Sequence, residues 1–183
     1  RPTLIDRIQD RAGKTVFKHD ARVCSNCQPE FWTNQSVPTV PDMRDVVTKP
    51  SSAFQMVSML EGAVERGTGR GIKAVGKPLA GKTGTTNDAL DTWFIGFSPD
   101  LVVGVFVGFD TPRSLGKREQ GASVAAPIFK EFMAKALADK PAIPFRIPPD
   151  IRLVRVNSTT GQPATPGDSR GILEAFKPGT IPV

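Results

Sequence analysis

The sequence has little of what metal sites and membrane spans are built from. It holds one histidine, two cysteines and no run of 18 apolar residues. The missing apolar run excludes a membrane-spanning helix within these 183 residues. His19 has no partner pattern around it, so a surface or hairpin histidine is expected. The cysteines form Cys24-Ser25-Asn26-Cys27, readable as half of a zinc site, a redox pair or a local disulfide. A full zinc site needs four ligands, and His19 is the sole further nitrogen donor. A redox pair calls for a βαβ setting, whereas Pro29 and Pro38 mark a loop. The composition therefore favours a loop disulfide in an oxidising compartment, and neither a metal nor another cofactor is expected. Blocks of one charge are also lacking. The net charge is +6, with a pI near 9.6, but the basic residues are scattered. That pattern suits solubility or attraction to an anionic surface rather than nucleic-acid binding. No signal-peptide pattern and no initiator methionine precede Arg1-Pro2-Thr3, so the chain is expected to be a piece of something longer.

What is present is a turn-rich chain, with 17 prolines and 17 glycines, of a length that suits one domain or part of one. Residues 3–20 read as a β-hairpin around Arg11-Ala12-Gly13-Lys14, and residues 21–50 as a long loop or insertion. Ser52-Ala53-Phe54-Gln55 fits a capping box, and Phe54, Val57, Leu60 and Val64 recur at helical spacing up to a stop at Gly67. A glycine-rich loop follows at 67–71. Two strands, 92–97 and 101–109, are joined by Ser98-Pro99-Asp100 and should pair antiparallel. The second is apolar on both faces, which predicts a central strand covered on both sides, with Gly104 and Gly108 admitting a helix. A second helix is expected over 125–138, with Pro127 in its first turn and Ile128, Phe129, Phe132, Met133, Ala136 and Leu137 as its buried stripe. One more strand is expected at 151–156, and the remainder to Val183 reads as an irregular tail. Asp88 and Asp91 punctuate a turn.

The organising stretch is Leu79-Ala80-Gly81-Lys82-Thr83-Gly84-Thr85-Thr86. Its β-branched threonines favour strand, and its glycines leave room for a backbone to lie alongside. Lys82 and the hydroxyls suit a carboxylate, through charge-assisted hydrogen bonds, and the strand edge suits an extended peptide. A solvated edge strand blunted by a lysine explains the same residues. Gly76 to Thr83 also matches the P-loop pattern literally, but a P-loop needs a helix beginning around its lysine. Gly84, the threonines and Asn87-Asp88 disfavour that helix, and Pro78 adds a further objection.

Lys82-Thr83-Gly84 resembles the Lys-Thr-Gly element of penicillin-recognising serine enzymes. With Thr85-Thr86-Asn87, then Asp91-Thr92-Trp93-Phe94-Ile95-Gly96-Phe97-Ser98-Pro99 and the valine-rich strand, the order is similar to the transpeptidase domain of class A penicillin-binding proteins. Ile5-Asp6-Arg7-Ile8, Ser58-Met59-Leu60-Glu61-Gly62 and Ala125-Ala126-Pro127-Ile128-Phe129-Lys130 extend the likeness over residues 3–160. The resemblance implies an α+β fold, the C-terminal part of a serine β-lactamase/transpeptidase-like domain with an incomplete antiparallel sheet flanked by helices. It assigns residues 1–150 to that domain and 151–183 to a terminal strand and tail. It implies binding of peptidoglycan stem peptides and β-lactams, attack by a serine, loss of D-Ala, and crosslinking to a second amine. It places Lys82 in the catalytic cleft, Thr83 and Thr85 on the ligand carboxylate, and the Thr85 N–H in an oxyanion hole. Gly84 would keep the strand clear of the ligand, with Thr86 a lesser member of the site.

The family's nucleophile lies in Ser-x-x-Lys upstream of this strand, with a Ser-x-Asn between. This chain has no Ser-x-Asn, and its one Ser-x-x-Lys, Ser114-Leu115-Gly116-Lys117, follows Lys82 in an evident loop. The nucleophile is therefore expected on residues not included here, and the isolated chain is expected to be inactive. Its partner is then the rest of the same domain or a second copy of the chain. By family, a membrane anchor and a glycosyltransferase domain lie elsewhere in the whole protein, at the periplasmic face of the inner membrane. A non-catalytic interaction module on the same fold is the alternative.

Overall fold

Alternating residues in 3–20 do form a hairpin. In the computed structural model, which describes residues 4–19, 31, 34, 36 and 45–182, β1 (Arg7–Gln9) pairs antiparallel with β2 (Thr15–Lys18). The turn is closed by Asp10, whose Oδ1 accepts from the N–H groups of Ala12 and Lys14. Gly13 takes a φ of 81° there, a conformation that suits glycine. His19 lies exposed at the end of β2 and donates its N–H to the Asp6 carbonyl. Cys24, Cys27 and most of the expected 21–50 loop lie outside the described residues. The hairpin belongs to a first unit, Arg1–Val47, and everything below to a second, Thr48–Val183.

Helix α1 spans Pro50–Glu65 and starts earlier than the capping box suggests. Lys49 is the N-cap, without a side-chain cap bond, and Pro50 supplies the preset φ of the first turn. Ser52 thus sits inside the helix, where its Oγ accepts from the Lys177 ammonium at 2.8 Å. Phe54 and Val64 are buried, as the spacing predicts. The Glu61 carboxyl is pushed up by burial and by the charge of Glu65 one turn on. The loop after α1 is not wholly irregular, since Arg70–Val75 winds into a 3₁₀ helix that buries Ile72.

The main sheet has three strands in the order β3 (Ala80–Thr85), β4 (Asp91–Phe97), β5 (Val102–Gly108), all antiparallel. Ser98 turns β4 into β5, accepting the Leu101 N–H on Oγ while its own N–H meets the Leu101 carbonyl. One face is packed by α2 (Ala125–Ala136), through a core of Val64, Ile72, Leu79, Phe94, Ala125, Phe129 and Met133. Leu101, Val103 and Val105 lean on that core from β5. Among the described residues of this unit no element covers the other face: Trp93, Ile95, Val102 and Phe106 are exposed there, with the Trp93 and Phe106 rings 4.8 Å apart. Among the described residues the strand expected at the centre is thus an edge strand covered on one side, and Gly104 faces the exposed side instead of a helix.

Two further readings are corrected. Of the stripe expected on α2, Phe129 and Met133 are fully buried, but Ile128 and Phe132 remain 49% and 51% exposed. Both ridges of the helix are apolar, so periodicity alone does not say which one meets the sheet. The tail is not irregular throughout, for β6 (Arg152–Asn157) pairs with β7 (Gly171–Phe176). That ribbon is tied to α1 by an Arg66–Glu174 ion pair at 2.6 Å and by Gln55 Nε2 donating to the Ala175 carbonyl. Its loop end, beside the Asn157–Gly171 rung, is held by Asp168, whose carboxyl is lowered by the Arg170 N–H and the Asn157 amide.

The sheet meets α2 at a contact only glycine permits. Gly81 and Gly96 face each other on one rung. A Cβ on Gly96 would fall 2.6 Å from the Phe94 ring and 2.7 Å from that of Phe129. We expect Gly96→Ala to destabilise the chain by about 1–3 kcal/mol through overpacking. Urea denaturation should show a lower midpoint at unchanged slope. Phe129→Leu in the same chain should recover part of the loss, because the two positions share one contact.

Candidate functional site: the free edge at Lys82

The eight-residue stretch is extended, as its threonines dictate. Strand β3 runs through Lys82 to Thr85 and ends in a short 3₁₀ turn at Asn87–Ala89, where Asp88 and Ala89 have positive φ. No helix begins at Lys82, so the phosphate-cradling reading lacks its structural basis.

The hydrogen-bond register decides what the edge presents. The Thr86 N–H donates to the Asp91 carbonyl at 3.0 Å. With Lys82 opposite Ile95 and Gly84 opposite Trp93, antiparallel alternation turns the backbone groups of Lys82 and Gly84 toward β4. Those of Gly81, Thr83 and Thr85 turn outward. Among the described residues no strand pairs with that outer edge. The Thr85 N–H is therefore aimed off the sheet, and the Thr83 carbonyl is near enough to the edge for Lys82 Nζ to donate to it at 2.9 Å.

Side chains divide by the same alternation. Lys82 is exposed on the bare face, beside Ile95. Thr83 and Thr85 lie on the helix-bearing face, and each hydroxyl has one partner there. Thr83 Oγ1 is 3.0 Å from Thr68 Oγ1, and Thr85 Oγ1 accepts from the Gly121 N–H at 3.0 Å. An N–H can only donate, so the Thr85 hydroxyl keeps its proton for an outside acceptor. Thr86 is not brought to this edge. Its hydroxyl accepts from the Asp91 N–H at 2.8 Å and donates to the Asp91 carbonyl, closing the turn.

Gly84 does have a backbone alongside it, that of Gly121. A Cβ on Gly121 would sit 2.5 Å from the Trp93 carbonyl oxygen and 2.6 Å from that of Gly84. Thr68 and Gly121 are the members of this constellation that sequence reasoning missed. The Gly67-Thr68-Gly69 spacing marks only a loop, and Gly121 only the end of the loop that holds Ser114. Ser114 is far from the role of a nucleophile: it lies in coil, donates to the Asp88 carbonyl at 2.7 Å and accepts from the Gly116 N–H. With Thr85, Lys117, Glu119 and Gln120 it lines a cavity of about 680 Å³ at the far end of the strand.

An exposed cation, two hydroxyls and an outward N–H on one unpaired edge make a surface for an extended ligand with an anionic end. The family model described as the penicillin-binding protein transpeptidase domain matches residues 1–134. The chain belongs to this transpeptidase-domain family of the penicillin-binding proteins. It is 43% identical over 182 residues to penicillin-binding protein 1A of Rickettsia conorii, covering 98% of this chain and 23% of that protein. It is 47% identical over 127 residues to penicillin-binding protein 1A of Pseudomonas aeruginosa, covering 69% of this chain and 16% of that protein. The fold matches the crystal structure of penicillin-binding protein 1A from Haemophilus influenzae with a TM-score of 0.66 and 29% identity, over all of this chain and 30% of that one. The fold is thus the incomplete α+β transpeptidase fold of a class A penicillin-binding protein, and the chain spans about a quarter of the length of its Rickettsia relatives. Among the described residues no helix is long and apolar enough to cross a membrane.

The Gly121 contact yields a test. Gly121→Ala should push the backbone off the Gly84–Trp93 rung, because carbonyl oxygens have nowhere to yield. Hydrogen exchange at the Gly84 and Trp93 amides should quicken by about tenfold or more, a loss of ~1.4 kcal/mol in local stability. Unchanged protection would show that the rung does not depend on this contact.

Proposed function

We propose that residues 1–150 form part of a peptidoglycan DD-transpeptidase domain, with 151–183 as its terminal strands and tail, and that β3 is one wall of its acyl-peptide groove. The observation that carries this reading is the unpaired edge on which Lys82, the Thr83 and Thr85 hydroxyls and the outward Thr85 N–H stand together. The substrate class is the acyl-D-Ala-D-Ala end of a stem peptide, or a β-lactam of similar shape. The ligand's backbone adds to the strand edge, and its terminal carboxylate takes the two threonine protons and the charge of Lys82.

The nucleophile is a serine supplied from outside residues 1–183. When it attacks, negative charge grows on the scissile carbonyl oxygen. The Thr85 N–H is one of the donors aimed at that oxygen, a role worth about 2.7–4 kcal/mol of transition-state stabilisation per donor. Lys82 adds its field and takes part in proton traffic around the serine. Gly84, without a side chain, keeps the wall low where the ligand backbone passes, and Thr86 holds the end of the wall by closing its turn. The acyl-enzyme is then resolved by a second amine to give the crosslink. The domain works at the periplasmic face of the inner membrane, in a protein whose anchor lies elsewhere.

The bare apolar face and the free edge of β5 are where the rest of the domain, or failing that a second copy of the chain, docks. A fold used only as an interaction module shares that face but has no use for the lysine and hydroxyls on the edge. Two outcomes separate the readings. In the full-length gene product a labelled penicillin should form a stable adduct, and Lys82→Ala should slow its formation by about 10²–10⁴-fold. The isolated 183-residue chain should form no adduct and should self-associate in light scattering at high concentration. A covalent adduct on the isolated chain, or a strictly monomeric chain, would contradict the respective claim.

A further inference from the structure

The edge holds two hydroxyls, and only one has its proton assigned by geometry. The Gly121 N–H forces Thr85 Oγ1 to accept, so the Thr85 proton stays free. Thr83 faces another hydroxyl, Thr68, at 3.0 Å, and such a pair works in either direction. If Thr83 donates, its proton is spent and it shows a ligand carboxylate only lone pairs. If Thr68 donates, the Thr83 proton turns outward and meets the carboxylate as a donor.

The loop that carries Thr68 is held tightly enough to make this a built contact. The Gly69 N–H donates to the Ala63 carbonyl at the end of α1, and the Ile72 N–H to the Gly69 carbonyl, each at 2.9 Å. A Cβ on Gly67 would fall 2.9 Å from the Ala63 Cα and carbonyl oxygen, and one on Gly69 would fall 3.1 Å from that oxygen. Neither glycine has a positive φ. Both are there for space, so that the loop lies flat against the helix end. Ile72, almost wholly buried, anchors the next turn in the core. The result is a hydroxyl fixed beside Thr83 from a different element.

We propose that Thr68 is a positioning residue for carboxylate recognition: by donating to Thr83 Oγ1 it keeps the Thr83 proton directed at the ligand's anionic end. This rests on the reading of the Lys82 edge as the carboxylate-binding wall. An approaching anion selects the same direction, since only that arrangement presents two O–H donors beside Lys82. Thr68 does not itself touch the ligand.

The test uses the full-length gene product and two probes that differ only at the carboxylate, benzylpenicillin and its methyl ester. Thr68→Val should lower the second-order acylation rate by benzylpenicillin about tenfold, in keeping with loss of a hydrogen bond that serves a charged group. It should leave the slower reaction of the ester nearly unchanged, and Thr68→Ser should restore the wild-type rate. In a Thr83→Val background, Thr68→Val should have no further effect. Thr68→Ala, which adds no new methyl contact, serves as a second variant should Thr68→Val fold poorly. If the wild-type protein forms no adduct, the transpeptidase reading fails and takes this proposal with it. If the wild type reacts but Thr68→Val and Thr68→Ala keep its rate with benzylpenicillin, the proposal alone is overturned. Equal slowing on both probes, or slowing that persists without the Thr83 hydroxyl, would also overturn it, since a merely structural loop would behave that way.

Discussion

The structure depends on how closely α2 approaches the sheet. Phe129 enters a space that exists because Gly96 has no side chain, and it meets Phe94 there at 4.7 Å between ring centroids. Gly81, across the ladder from Gly96, leaves room for the Phe94 ring from the other strand. Four residues on three elements thus set one distance. Because α2 is held this near, the segment leading into it is held near as well, and Gly121 reaches the rung of Gly84 and Trp93. A packing constraint at one end of the strand becomes a hydrogen bond to Thr85 at the other. Dense cores transmit displacements in this way because they hold few voids to absorb them.

The edge of β3 inherits its chemistry from that arrangement. Strand alternation separates the charged ammonium from the neutral hydroxyls. Lys82 rises on the bare face, while Thr83 and Thr85 sit on the packed face, where fixed neighbours restrict them. This division suits each group. A hydroxyl is useful only when its proton points the right way, so it gains from a rigid partner. An ammonium has three donors and acts mainly as a point charge, so it needs reach more than orientation. The backbone contributes the Thr85 N–H, aimed outward by the register itself with no side-chain freedom to lose.

The sequence reveals those features whose causes lie within a few residues. The threonine-rich stretch, the Ser98-Pro99-Asp100 turn and the long apolar run of β5 were each readable, and the order of motifs carried the family. Features set by distant partners were not readable. Pro50 is an exception, a local signal that starts the helix two residues before the apparent capping box at Ser52. Ile128 and Phe132 are as apolar as Phe129 and Met133, and only the sheet decides which ridge is buried. β7 is hidden because its partner β6 lies across an intervening loop rich in glycine and proline. Thr68 belongs to the site through a contact 15 residues away in sequence, which no local pattern marks.

The bare face bears directly on how the edge would work. Lys82 stands at the border between the sheet face packed by α2 and the opposite face, where Trp93, Ile95, Val102 and Phe106 are exposed among the described residues. In water, a charge about 4 Å away is worth only about 1 kcal/mol to an ammonium, and several times more at the effective dielectric of a partly covered site. Covering the apolar face therefore does more than hide hydrophobic surface. On the proposed reading it would also raise the pull of Lys82 on an anion laid along β3.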